Sequence, residues 1–142
     1  MRVLLDANIF ISYLLYPEHD SPSALLIRAA IRGEFMLLLP DDLLREFARK
    51  VRQKPYLAKR IQPDNIYTLE SILGEIAETI PHISEPIPTV TRDPKDDYLI
   101  AYALVGEADY LVTGDRDLLV IEQFDTVKIV TPRDFLTIFG KD

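Results

Sequence analysis

Residues 93–119 read DPKDDYLIAYALVGEADYLVTGDRDLL, and this stretch decides how the chain folds. An acidic turn opens it, a nearly all-apolar run follows from Tyr98 to Val105, and a short β-rich run spans Asp109 to Thr113. A helix that is apolar all round belongs in an interior. A short apolar run ending in a turn is the pattern of a buried parallel strand. Such a pair is ordinary core. The aspartates that bracket it are not. Asp96 and Asp97 open the helix, Asp96 as its expected N-cap, and Asp115 and Asp117 stand just past the strand. In open α/β sheets, ligands bind in the crevice beyond the carboxyl ends of the strands. The spacing therefore predicts that these carboxylates meet around a divalent metal.

Working outward, Arg2 to Asp6 (RVLLD) reads as a central parallel strand with Asp6 at its carboxyl end. Asn8 and then Ile9, Phe10, Ile11, Leu14 and Leu15 follow at helical spacing. A second helix is expected over Ser23 to Arg32, stopped by Gly33, and a second strand over Phe35 to Leu39. Asp41-Asp42 begins a helix with the apolar stripe Leu43, Leu44, Phe47 and Val51, and Glu46 lies on the flank of that stripe. Taken alone, Glu46 is better explained by an i,i+4 pair with Lys50 than by a ligand role. A short basic helix is expected over Pro55 to Arg60 and a longer one from Pro63 to Ala77. The third strand is placed near Ile80 to Ile83, ahead of a proline-rich loop. Leu118 to Phe124 suggests a short helix, Val127 to Val130 a fifth strand, and Pro132 to Gly140 a closing helix.

The expected architecture is α/β: a three-layer α/β/α sandwich around a mainly parallel sheet of about five strands, in one domain over residues 1–142. Hydrophobic residues make up 48% and charged residues 27%, which suits a soluble globular protein. No apolar run approaches the roughly 18 residues that a membrane span requires. Only three apolar residues separate Arg2 from Asp6, which is not the pattern of a secretory leader. The absence of cysteine fits a reducing cytoplasm and rules out thiolate ligands. With two histidines, His19 and His82, in expected loops, a metal here would be held by oxygen, which favours Mg²⁺ or Mn²⁺.

The formal net charge is −7, unlike that of a general nucleic-acid coat. Between Arg45 and Arg60, however, seven basic residues face the single Glu46, a local balance of +6. Arg45, Arg49, Lys50 and Arg52 are the candidate nucleic-acid contacts in that stripe. A solvated helix face has the same composition.

Taken together, LLDANIF near the N-terminus, Glu46 within LLREF, RDPKDDYLIAYA, DYLVTGDRDLL and the closing IVTPRDFL resemble the PIN-domain family of metal-dependent nucleases, which includes VapC-type toxins of toxin–antitoxin pairs. The likeness runs from about Val3 to Phe139. It implies that Asp6, Glu46, Asp97 and Asp115 are the catalytic, metal-binding carboxylates, with Asp117 a further ligand. Asn8, Thr113 and Asp96 are supporting residues in the same comparison. An acid three residues before a Leu/Ile-Ala pair selects Asp97 over Asp96, and Asp93 is left as an outer-shell candidate. The implied activity is hydrolysis of RNA phosphodiesters with one or two Mg²⁺ or Mn²⁺ ions, leaving 5′-phosphate and 3′-hydroxyl ends. The implied partners are an RNA substrate, a small antitoxin protein and a second copy of the chain. No membrane partner is expected.

Rival readings are a phosphotransfer enzyme or receiver domain, and a non-catalytic PIN-fold binding module. A dehalogenase-type site would need an acid where Asn8 stands, and a receiver would need a lysine after a late strand. Non-catalytic modules usually lose a core carboxylate, and none is lost here.

Overall fold

The computed structural model describes residues 1–140. Six strands form a single sheet in the order β3-β2-β1-β4-β6-β5. They are β1 (Arg2–Leu5), β2 (Met36–Pro40), β3 (Glu78–Ile80), β4 (Tyr110–Val112), β5 (Gln123–Phe124) and β6 (Val127–Val130). Every pairing is parallel except β5 with β6. The flanking helices are α1 (Ala7–Leu15), α2 (Pro22–Ile31), α3 (Asp41–Gln53), α4 (Pro55–Arg60), α5 (Pro63–Ile76), α6 (Pro94–Val105), α7 (Arg116–Leu119) and α8 (Pro132–Phe139). This is the expected α/β architecture, with one strand more than the sequence suggested.

The central strands are apolar without alternation because helices cover the sheet. Val3, Leu4 and Leu5 of β1, Leu37 to Leu39 of β2, and Leu111 and Val112 of β4 are all buried. Register pins the strand ends: Leu4 lies opposite Leu38 of β2 and Leu111 of β4. Phe10 of α1 stacks on Phe47 of α3, joining two helices that enter the sheet at neighbouring strand ends. Gly106 ends α6 where a β-carbon would come within 2.7 Å of Ile80 Cδ1 and 3.0 Å of Leu38 Cδ1, so a larger residue here would have to displace those two side-chain ends.

Local sequence explains most of the boundaries. Ser21 caps α2 through a bond from Ala24 N, with Pro22 in the first turn. Thr131 and Pro132 do the same for α8, which ends at Gly140 in the left-handed conformation. Four expectations need correction. The third strand is Glu78–Ile80, ahead of its predicted place. Phe124 leaves the predicted short helix and pairs with Val127 as a two-residue antiparallel edge. Helix α6 begins at Pro94 rather than Asp97, and its N-cap is Asp93, not Asp96. Pro94 in the first turn forces that last shift, because proline is suited to the position just after a cap.

Candidate metal centre

From β1 the sheet runs outward through β2 to β3, and the chain then returns to lay β4 on the other side of β1. The crevice at the carboxyl ends of β1 and β4 is thus the point where strand order reverses. Asp6 leaves β1 here, and its backbone N–H donates to Val112 O at 3.0 Å. Its carboxylate caps α1, with Oδ1 accepting from Asn8 N at 3.3 Å. Oδ2 accepts from the Thr113 hydroxyl at 2.7 Å. That hydroxyl also accepts from Asp115 N at 3.0 Å, so one fully buried threonine joins the turn after β1 to the turn after β4. Asp115 then caps α7, its Oδ1 accepting from Asp117 N at 2.9 Å.

Helix α6 brings the next acid. Carboxylate oxygens of Asp96, Asp115 and Asp117 all lie within 4.8 Å of one another. Asp96 is only 5% exposed, and its Oδ2 is buried with no hydrogen-bond partner. Burial, then a hydrogen bond with Asp115 and its charge, then the charges of Asp93 and Asp6, push the Asp96 carboxyl up to about 7. A cation among these acids would favour their charged forms. All the donors are carboxylate oxygens, which suits a hard divalent ion. The residues present therefore fit a magnesium- or manganese-type ion.

The other sequence-predicted residues are placed as follows. Glu46 projects from α3 and pairs with Lys50 Nζ at 3.4 Å. The same ammonium donates to Asn8 Oδ1 at 3.4 Å, so Lys50 links Glu46 to the residue two beyond Asp6. Asn8 therefore supports Asp6 with its backbone, while its side chain faces Lys50. Asp97 is not in the trio. Its Oδ1 accepts from Val90 N at 3.0 Å, Thr91 N at 2.7 Å and Thr91 Oγ1 at 3.0 Å. Burial works against its charge, but these bonds outweigh burial and hold the carboxyl below its ordinary value. The preference for Asp97 over Asp96 is thus where sequence pattern and geometry part: Asp96 joins the acids and Asp97 fastens the loop ahead of α6.

Arg45, Arg49 and Arg52 border a groove of about 790 Å³, walled also by Leu43, Tyr98 and Tyr102. Glu46 also lines this cavity, and the aspartate trio lies outside it. Lys50 lies apart from the three arginines, toward Asn8. Two features escaped the sequence reading. Arg92 Nη2 pairs with Asp117 Oδ1 at 2.7 Å, bringing a cation onto the acidic cluster. Asp42 Oδ2 accepts from the Tyr102 hydroxyl at 2.7 Å and lies 2.6 Å from His82 Nδ1, tying the proline-rich loop to α3 and α6. The preference of proline for the position after a cap would have located Asp93 as the cap of α6; no local signal marks Arg92.

A PIN-domain family model matches residues 2–117. The chain belongs to the PIN-domain family. PIN domains are generally nucleases that use divalent metals, and the acidic cluster is compatible with that chemistry. No curated protein matches the chain. Among solved structures, the PIN-domain chain is similar to a chain of VapBC2 from Rickettsia felis, determined bound to a DNA fragment from their promoter. The TM-score is 0.58 at 14% identity, and the likeness covers 92% of this chain and 98% of that one. At this identity it is the fold that is shared. Among the described residues, no helix is long and apolar enough to cross a membrane.

Proposed function

We propose that this PIN domain is a Mg²⁺- or Mn²⁺-dependent endoribonuclease and the toxin of a toxin–antitoxin pair. The observation that carries the reading is the buried, unpartnered Asp96 oxygen within a trio of carboxylates at the strand-order reversal. Asp96, Asp115 and Asp117 would hold the ion. Asp6 faces them from β1, fixed by Thr113. Bound there, the ion would supply a lowered water pKa and a positive charge for the phosphate that is cleaved.

The protein's own residues do the rest. Thr113 fixes the relative positions of Asp6 and Asp115 by donating to one and accepting from the backbone of the other. Glu46, kept in place by Lys50, is the acid placed to orient an attacking water from the α3 side. Asp97 acts as a positioning residue through the loop that it fastens. Arg49 and Arg52 are exposed and form no ion pair among the described residues, which leaves them free to hold RNA phosphates along the groove. Hydrolysis on this plan leaves 5′-phosphate and 3′-hydroxyl ends. The similarity to a VapBC2 chain supports a small antitoxin as partner. A homodimer and a cytoplasmic location belong to the same proposal.

The test is cleavage of single-stranded and structured RNA with Mn²⁺, wild type beside Asp96→Asn and Asp6→Asn, with the new ends mapped. The expected result is cleavage by the wild type, leaving 5′-phosphates, and a loss of at least about a hundredfold in each variant. Full activity in both variants would contradict the reading. Ion uptake without cleavage would favour a PIN-fold binding module.

A further inference from the structure

Arg92 stands out because the fold holds its backbone on both sides while leaving its head group in solvent. Thr91 is fixed to Asp97 through its backbone N–H and its hydroxyl. That hydroxyl shares bonds with the backbone of Asp93, whose N–H donates to it at 3.2 Å and whose carbonyl lies 2.8 Å away. Asp93 is itself the cap of α6. The side chain between these fixed points is 86% exposed, yet its guanidinium rests on Asp117. Among the described residues, it is the one cation in an ion pair with the aspartate trio. Lys50 is engaged elsewhere, by Asn8 and Glu46.

Resting on the nuclease reading above, we propose that Arg92 is a phosphate-holding residue of the same site, parked on Asp117 until a divalent ion claims that carboxylate. A planar guanidinium suits this task because its paired N–H groups match a phosphate as well as a carboxylate. Once Asp117 turns to the ion, Arg92 is already at the site with its head in solvent. A phosphate bound by the ion then meets a second positive group from the loop before α6. The same arrangement gives Asp97 its purpose, since without its three bonds the loop would not hold Arg92 there.

The test is binding of a short single-stranded oligoribonucleotide with phosphorothioate linkages, read by fluorescence anisotropy with and without Mn²⁺. Wild type is compared with Arg92→Ala and Arg92→Lys, and Mn²⁺ uptake is measured separately by calorimetry. With Mn²⁺, Arg92→Ala should weaken oligonucleotide binding about fivefold and lower the salt slope by about 0.7. Arg92→Lys should restore only part of the loss. Without Mn²⁺ the variants should match wild type, because Arg92 is then engaged by Asp117. Mn²⁺ uptake should be equal or tighter in Arg92→Ala. Unchanged oligonucleotide binding in the presence of a bound ion would overturn the Arg92 assignment alone. An equal loss with and without the ion would also overturn it, as the mark of a general charge effect. If wild type takes up no ion, the nuclease reading falls and this assignment with it.

Discussion

At the scale of single residues, Asp96 is where stability and function oppose each other. Its carboxyl titrates at about 7 in the folded protein against 3.8 ordinarily. Between those values the folded chain holds a proton that the unfolded chain has released, so metal-free stability falls as pH rises through that window. Asp96→Asn removes the ionisable group. Thermal melting of the metal-free variant should therefore lose this decline and exceed wild type at pH 8, while differing little at pH 4. Mn²⁺ should raise the wild-type melting temperature more at pH 8 than at pH 5, because the ion displaces the proton, and should leave Asp96→Asn nearly unmoved. The sequence could identify an acidic pair at 96–97 but not which member faces the crevice. Neighbours on a helix point about 100° apart, and the rotation of α6 is set by packing of Leu99, Ile100 and Ala103 rather than by the pair itself.

At the scale of elements, the segment between β3 and α6 is held by two aspartates that the sequence did not assign to it. Asp97 fastens Val90 and Thr91, and Asp42 holds His82 and the hydroxyl of Tyr102. Burial pushes the Asp42 carboxyl up, but bonds from His82, Tyr102 and Arg45 outweigh this and the net shift is downward. Burial and then Asp42 push the Tyr102 phenol up to about 12. Asp42→Ala leaves the hydroxyl of a tyrosine that is 2% exposed without its acceptor. The expected cost is about 1–3 kcal/mol, measured by urea unfolding at pH 7. Because the folded value lies below the unfolded one, Asp42 stabilises above the ordinary carboxylate range and this is lost as pH falls through the folded value. The gap between wild type and Asp42→Asn should accordingly narrow toward pH 3. The strands with apolar runs, β1, β2 and β4, were legible from sequence because burial on both faces dictates such runs. The edge strand β5 was not, since two residues whose only sheet partner is β6 carry no periodicity.

At the scale of the whole molecule, charge is divided by function. Within a chain of net charge −7, Asp6, Asp96, Asp115 and Asp117 come to the reversal of strand order, and Arg45, Arg49, Lys50, Arg52, Lys59 and Arg60 lie on α3 and α4. Arg49 and Arg52 are exposed, so reversing both to Glu should leave the fold intact. RNA affinity should fall, and its salt dependence should flatten by about 0.7 in slope for each phosphate no longer held. Unchanged binding would remove α3 from the RNA path. The joint placement of Asp6, Asp97, Asp115 and Asp117 was readable as strand ends and helix starts, because the acids that follow buried parallel strands collect at their carboxyl ends; that Asp96 rather than Asp97 joins the trio was not. The direct measurement is the anomalous scattering of manganese in crystals grown with Mn²⁺. One strong peak, or a pair, should lie among the carboxylates of Asp6, Asp96, Asp115 and Asp117. An empty crevice at saturating Mn²⁺, or peaks confined to other acids, would contradict the account.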